Sequence, residues 1–281
     1  MKQRLITSAF IVLIFLPLLI FSEYIIYPIA LSLLAFVAVF EILKCIGVGK
    51  NPAVAVPSYI LAAALPFAAR FAEDDPGVYL LSLAAIQFAY LIYLMGVGVF
   101  SKGKLKLCDV AEVFFMVTYV TVSFTSMSLI RYIFGEAGQY LLFLLFIISW
   151  ITDSCAYIVG SFIGKHKLIP EISPKKTVEG AVGGVVFAIA GSMLYGLVVS
   201  LIDSGVESVN YIALMIFGLV LSVVSQIGDL VASLLKREHG IKDYGKVFPG
   251  HGGIMDRFDS ILAVSTILLI LCMIFPPFVF S

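Results

Sequence analysis

Asp256 and Asp259 stand one helical turn apart in the segment Pro249-Gly250-His251-Gly252-Gly253-Ile254-Met255-Asp256-Arg257-Phe258-Asp259. Side chains three or four residues apart share a helix face. Arg257 lies between these carboxylates, and Lys236 and Arg237 lie upstream. Hard oxygen donors among cations suit Mg²⁺ held jointly by carboxylates and substrate phosphates; they disfavour zinc. The Pro-Gly-His-Gly-Gly run can bring backbone close to a ligand, because glycine lacks a β-carbon. No second histidine stands at ligand spacing from His251, so His251 reads as a phosphate or substrate contact rather than a zinc ligand.

A second constellation lies upstream. Ser222, Ser225, Asp229, Ser233 and Lys236 recur at three and four residues and form one polar stripe on an otherwise apolar helix. An acidic group among hydroxyls with a lysine nearby suits a cation and a phosphate side by side; the competing reading is hydrogen bonding between membrane helices. Asp153 occupies a similar place, sharing a helix sector with Thr152, Tyr157, Gly160 and Gly164, where the glycines fit close helix packing. The segment from Lys165 through Lys167, Ser173-Pro174, Lys175-Lys176 and Thr177 carries four lysines and leads into a helix N-terminus. That combination is an anion site or a headgroup anchor. Ionisable groups inside apolar spans cost roughly 2.5–3.5 kcal/mol at a helix centre and are functional candidates. Glu41 and Glu112 have simpler readings, the first as a pair with Lys44 one turn away and the second as a side chain reaching water.

The elements that must position these groups are membrane helices. Of the 281 residues, 61% are hydrophobic and only 13% charged, against about 25% charged in soluble domains. Nine apolar stretches are long enough to span a bilayer: roughly 5–22, 25–46, 53–72, 77–100, 110–131, 138–163, 178–202, 209–235 and 258–280. The first is followed by Ser22-Glu23-Tyr24-Ile25 rather than a small-residue cleavage site, so it reads as a retained span. With nine spans, 16 of the 18 Lys and Arg residues fall on one face, leaving Arg70 and Arg131 on the other. By the positive-inside rule the N-terminus is cytosolic and the C-terminus outside. The two longest polar loops, 164–177 and 236–257, are then cytosolic and hold all three histidines. The expected fold is all-α and polytopic, with a region of spans 1–5 over 1–136 and a catalytic region of spans 6–9 over 137–281. Zero net charge gives no support for nucleic-acid binding. Four scattered cysteines give none for a disulfide or metal–thiolate framework.

The run from Ser233 through Leu235-Lys236-Arg237, Lys242-Asp243, Gly245, Phe248-Pro249 and His251-Gly252-Gly253 to Asp256-Arg257-Phe258-Asp259 closely resembles the phosphatidate cytidylyltransferase family, the CDP-diacylglycerol synthases. Ser225-Gln226-Ile227-Gly228-Asp229, Trp150-Ile151-Thr152-Asp153, Gly164-Lys165-His166-Lys167-Leu168 and Ser173-Pro174-Lys175-Lys176-Thr177 fit it too, so the motifs cover roughly 150–260. The resemblance implies a Mg²⁺-dependent reaction of CTP with phosphatidic acid at the inner membrane, with the active site facing the cytosol. It implies Asp229 and Asp256 as metal carboxylates, and Lys236, Arg237, Lys242 and Arg257 as phosphate contacts, with Asp243, His251 and Asp259 beside them in the catalytic set. Asp153, Lys165, Lys167, Ser173, Lys175, Lys176 and Thr177, with Ser233, Gly252 and Gly253, would bind substrate. A second cation and a homodimer are left open. A CTP-dependent polyprenol or lipid kinase is the alternative. An ion-coupled transporter fits less well, because its polar groups would continue to the outer face, whereas the outer halves of the spans are apolar. A CDP-alcohol phosphotransferase lacks its Asp-Gly and Ala-Arg motif here.

Overall fold

The computed structural model describes residues 15–247 and 252–280. Eight helices among them are long and apolar enough to cross a membrane. In chain order they are α1 (Ile26–Ile46), α2 (Pro52–Ala68, continued by a 3₁₀ turn over Ala69–Glu73), α3 (Pro76–Phe100), α4 (Leu107–Ile133), α5 (Gly135–Ile163), α6 (Val178–Ile202), α7 (Tyr211–Glu238) and α8 (Met255–Ile274). They coincide with eight of the nine expected spans. The ninth, 5–22, falls mostly outside the described residues.

Helix starts follow local chemistry. The Asn51 carboxamide accepts from Ala53 N–H at 3.1 Å, the Asp75 carboxylate from Val78 N–H at 3.0 Å, and the Thr177 hydroxyl from Gly180 N–H at 3.2 Å. Two segments differ from the expected pattern. The last span was expected to reach 280, but Pro276-Pro277 cannot continue a helix. The chain turns there, and β4 (Phe278–Phe280) pairs antiparallel with β3 (Val206–Val209). The loop 164–177 is a hairpin, β1 (Lys167–Ile169) against β2 (Ser173–Thr177), with Lys167 opposite Thr177 and Ile169 opposite Ser173.

The chain divides into two compact units. One comprises the described residues of Met1–Ile133 and of His239–Arg257; the other comprises Phe134–Glu238 and the described residues of Phe258–Ser281. In the first, α4 is the central post, packed by α1, α2 and α3, with Val117, Val120, Phe124 and Met127 fully buried. Polar rungs cross between helices: Gln87 donates to Thr121 Oγ1 at 3.2 Å and accepts from Thr118 at 2.9 Å. Such bonds join helices in a medium that offers no water.

In the second unit, α5, α6 and α7 pack closely through small residues. A β-carbon on Gly180 would lie 2.5 Å from the Ala156 carbonyl oxygen and 3.1 Å from Gly160 Cα. One on Gly228 would lie 2.5 Å from Ala263 Cβ and 2.8 Å from the Asp259 carbonyl oxygen. Glycine at 228 therefore lets α8 close on α7 where Asp229 follows.

Candidate active site

Close approach at Gly228 brings three carboxylates together in the second unit. Asp229 on α7 forms an ion pair with Lys176 on β2. Asp153 on α5 accepts from the Ser260 hydroxyl at 3.0 Å, and the charges of Asp229 and Lys176 act on it. Asp259 on α8 lies in the fields of Asp229, Asp153 and Lys236. The cluster thus contains Asp153, Asp229 and Asp259 against Lys176 and Lys236. Asp153 is exposed, and the other four are half-buried. The Lys176 ammonium is itself enclosed, against the Asp229 carboxylate.

The polar stripe on α7 divides accordingly. Ser222 and Ser225 are fully buried, and Ser222 donates to the Leu219 carbonyl within its own helix. Asp229, Ser233 and Lys236, further along, remain half-buried. Lys236 and Arg237 belong to the last turn of α7 rather than to a loop. Cations there also offset the negative end of the helix dipole.

The hairpin supplies the remaining lysines. Lys175 and Lys167 are exposed, while Lys176 is half-buried and aimed at Asp229. Ser173 is half-buried at the start of β2, and Arg237 Nε reaches the Ile172 carbonyl at 3.4 Å. Thr177 is buried, and its hydroxyl caps α6. Glu179 anchors the strand entry: its carboxylate accepts from Lys165 N–H (3.1 Å) and His166 N–H (3.2 Å), and it meets His166 Nδ1 at 2.6 Å.

In the first unit, Asp256 Oδ2 accepts from Tyr244 N–H at 2.8 Å and Gly253 N–H at 2.9 Å. Gly252 has φ +86°, a left-handed conformation that favours glycine. Lys242, Asp243 and Arg257 are exposed. His251 lies outside the described residues. Glu112, expected to reach water, stays partly exposed and also meets His239 Nε2 at 2.5 Å. Ser260 was not singled out in the sequence; a serine directly after Asp259 was the available signal.

Lys176 and Lys236 supply part of the countercharge that these carboxylates need. Among the described residues, no three His, Cys, Asp or Glu side chains converge as a ready-made metal cage. Asp153, Asp229 and Asp259 are hard oxygen donors, the type of which Mg²⁺ usually takes one or two, completing its shell with water and substrate phosphates.

Fold and site together define a multi-pass membrane protein with a cluster of carboxylates and lysines. The sequence profile of the cytidylyltransferase family matches residues 2–275, and the chain belongs to that family. A phosphatidate cytidylyltransferase of Staphylococcus epidermidis is 38% identical over 276 residues, covering 96% of this chain and 98% of its own length. Proteins of the same name from Bacillus subtilis (37% identical, 98% of each chain) and Staphylococcus aureus (36% identical, 96% of this chain and 98% of its own) are similar as well.

Proposed function

We propose that this protein transfers the cytidylyl group of CTP to phosphatidic acid, giving CDP-diacylglycerol and pyrophosphate. The observation that carries the proposal is the cluster of Asp153, Asp229 and Asp259 with Lys176 and Lys236, built from the motif segments on α5, β2, α7 and α8. Relatives along nearly the whole chain are named for this activity.

Phosphatidic acid is a phosphate monoester with a second pKa of about 6, so at neutral pH its oxygen is already a nucleophile and no strong general base is needed. The difficulty is repulsion between two anionic substrates. Lys176, Lys236, Arg237 and the exposed Lys175 offset that charge and hold the phosphates in line. Mg²⁺ is the proposed cofactor; of the two carboxylates that the sequence motif assigns to it, Asp229 is the one within the acidic cluster and would hold it there, and when bound it would supply further charge neutralisation. A lipid phosphate oxygen bonds to the α-phosphorus of CTP. The bond from that phosphorus to the bridging oxygen of the β-phosphate breaks, and pyrophosphate leaves. No covalent enzyme intermediate forms. The active site is proposed to face the cytosol, where CTP is found, in agreement with the distribution of Lys and Arg.

Position-specific labelling tests the reading. With purified protein, phosphatidic acid and Mg²⁺, CTP labelled at the α-phosphorus gives a labelled lipid, and CTP labelled at the γ-phosphorus does not. The reverse result would identify a lipid kinase. Chirally labelled α-phosphorus must invert; net retention would require a covalent intermediate.

A further inference from the structure

Glu41 lies on α1, in the half of the chain to which the sequence motifs assign no role. The pairing with Lys44 expected from spacing is not what satisfies it. Its side chain is buried, with 2% exposure, and its two oxygens accept from Ile254 N–H at 3.1 Å and Met255 N–H at 2.9 Å. Those amides open α8, where the first N–H groups have no partner within the helix. Glu41 therefore caps α8 from a distant helix of the same unit.

The loop closes around the same carboxylate. A β-carbon on Gly245 or on Gly253 would overlap a Glu41 oxygen. Gly253, expected from the sequence to admit a ligand, admits this internal carboxylate. Asp256 completes the arrangement from the other direction by accepting from Tyr244 N–H and Gly253 N–H. Two carboxylates thus hold four backbone N–H groups of one loop, those of Tyr244, Gly253, Ile254 and Met255. Burying a carboxylate is costly unless it is fully hydrogen-bonded, and an apolar residue would fill the space on α1 without that cost.

We propose that Glu41 is a positioning residue: it clamps the Tyr244-Gly245 and Gly253-Met255 segments and thereby sets the orientation of Asp256. The catalytic part of this inference rests on the cytidylyltransferase reading; the clamp itself does not.

Hydrogen exchange and kinetics test it together. Glu41→Gln keeps the shape but turns an amide N–H₂ toward a backbone N–H; Glu41→Ala removes the acceptor. Both are expected to release protection in peptides spanning 244–255 and to leave α4 peptides unchanged. The expected kinetic effect is a fall in kcat of about 10–100-fold, the usual range for supporting partners of a metal ligand, with little change in KM for CTP. Lys44→Ala should alter neither readout. Gly245→Ala should also reduce kcat, and combining it with Glu41→Ala should cost less than the product of the two single losses, because the overlap with the carboxylate disappears and only the 3.1 Å approach to Gly253 Cα remains. Retained protection at 244–255 in both Glu41 variants, or losses that multiply in the double variant, would overturn the clamp. Should the unsubstituted protein transfer no cytidylyl group, the functional reading fails while hydrogen exchange still decides on the clamp.

Discussion

Lys175 and Lys176 are adjacent, carry equal charge and are indistinguishable by composition, yet the strand separates their surroundings. Lys175 is exposed. Lys176 pairs with Asp229, with side-chain exposures of 26% and 28%. Replacing Lys176 with Met keeps the length and removes the ammonium. Of its two lysines, the cluster of Asp153, Asp229 and Asp259 then retains Lys236. A hydrogen bond to a charged group is worth about 1.5–3 kcal/mol, which corresponds to roughly a 10–150-fold loss in kcat/KM for CTP. The same interaction supports the fold, so the unfolding midpoint should fall too. Lys175→Met should leave the unfolding midpoint nearly unchanged, since exposed substitutions stay within about 0.5 kcal/mol. The assay is initial rate against CTP concentration for both variants in one detergent, with parallel thermal denaturation. Equal losses for the two variants would refute the division of roles and return the hairpin to a general anionic attractor. A Lys176→Met enzyme with unchanged CTP dependence would remove Lys176 from the site.

Gly180→Ala places a methyl group 2.5 Å from the Ala156 carbonyl and should destabilise the α5–α6 pair by about 1–3 kcal/mol; an unchanged denaturation midpoint would contradict the packing. Asp203, just beyond α6, accepts from the Tyr140 hydroxyl at 2.5 Å and from Gly205 N–H at 2.8 Å, which holds its carboxyl below the ordinary value. A depressed folded pKa gives stability that is full above the unfolded value of about 3.9 and is lost as pH falls through the folded one. The advantage of the unsubstituted protein over Tyr140→Phe should therefore be constant near neutrality and vanish in acid, and a difference independent of pH would count against the bond. Single cysteines at Lys175 and Lys242 should react only with reagents that reach the cytosol, and one at Ser204 only from outside; Lys175 and Ser204 labelled from one side would refute the orientation.

The sequence determined the membrane class, the order of the spans and the family. Each depends on local quantities: the length of an apolar run and the identity of residues at fixed spacing. It also identified Asp153, Asp229, Asp259 and Lys176 as candidates, because an ionisable group in or beside an apolar span is conspicuous wherever the chain later places it. Partnership was not legible. A pairing of Glu41 with Lys44 is what one-turn spacing suggests, and a glycine-rich loop suggests space for a ligand. Only the tertiary structure brings Glu41 to the amides of Ile254 and Met255 and closes Gly245 and Gly253 around it. The difference between Lys175 and Lys176 arises in the same way, from a hairpin whose strand presents successive residues to different surroundings. Hydrophobic periodicity and charge are properties of a segment. Which carboxylate accepts from which backbone amide depends on contacts between segments far apart in the chain, and these exist only once the helices have packed.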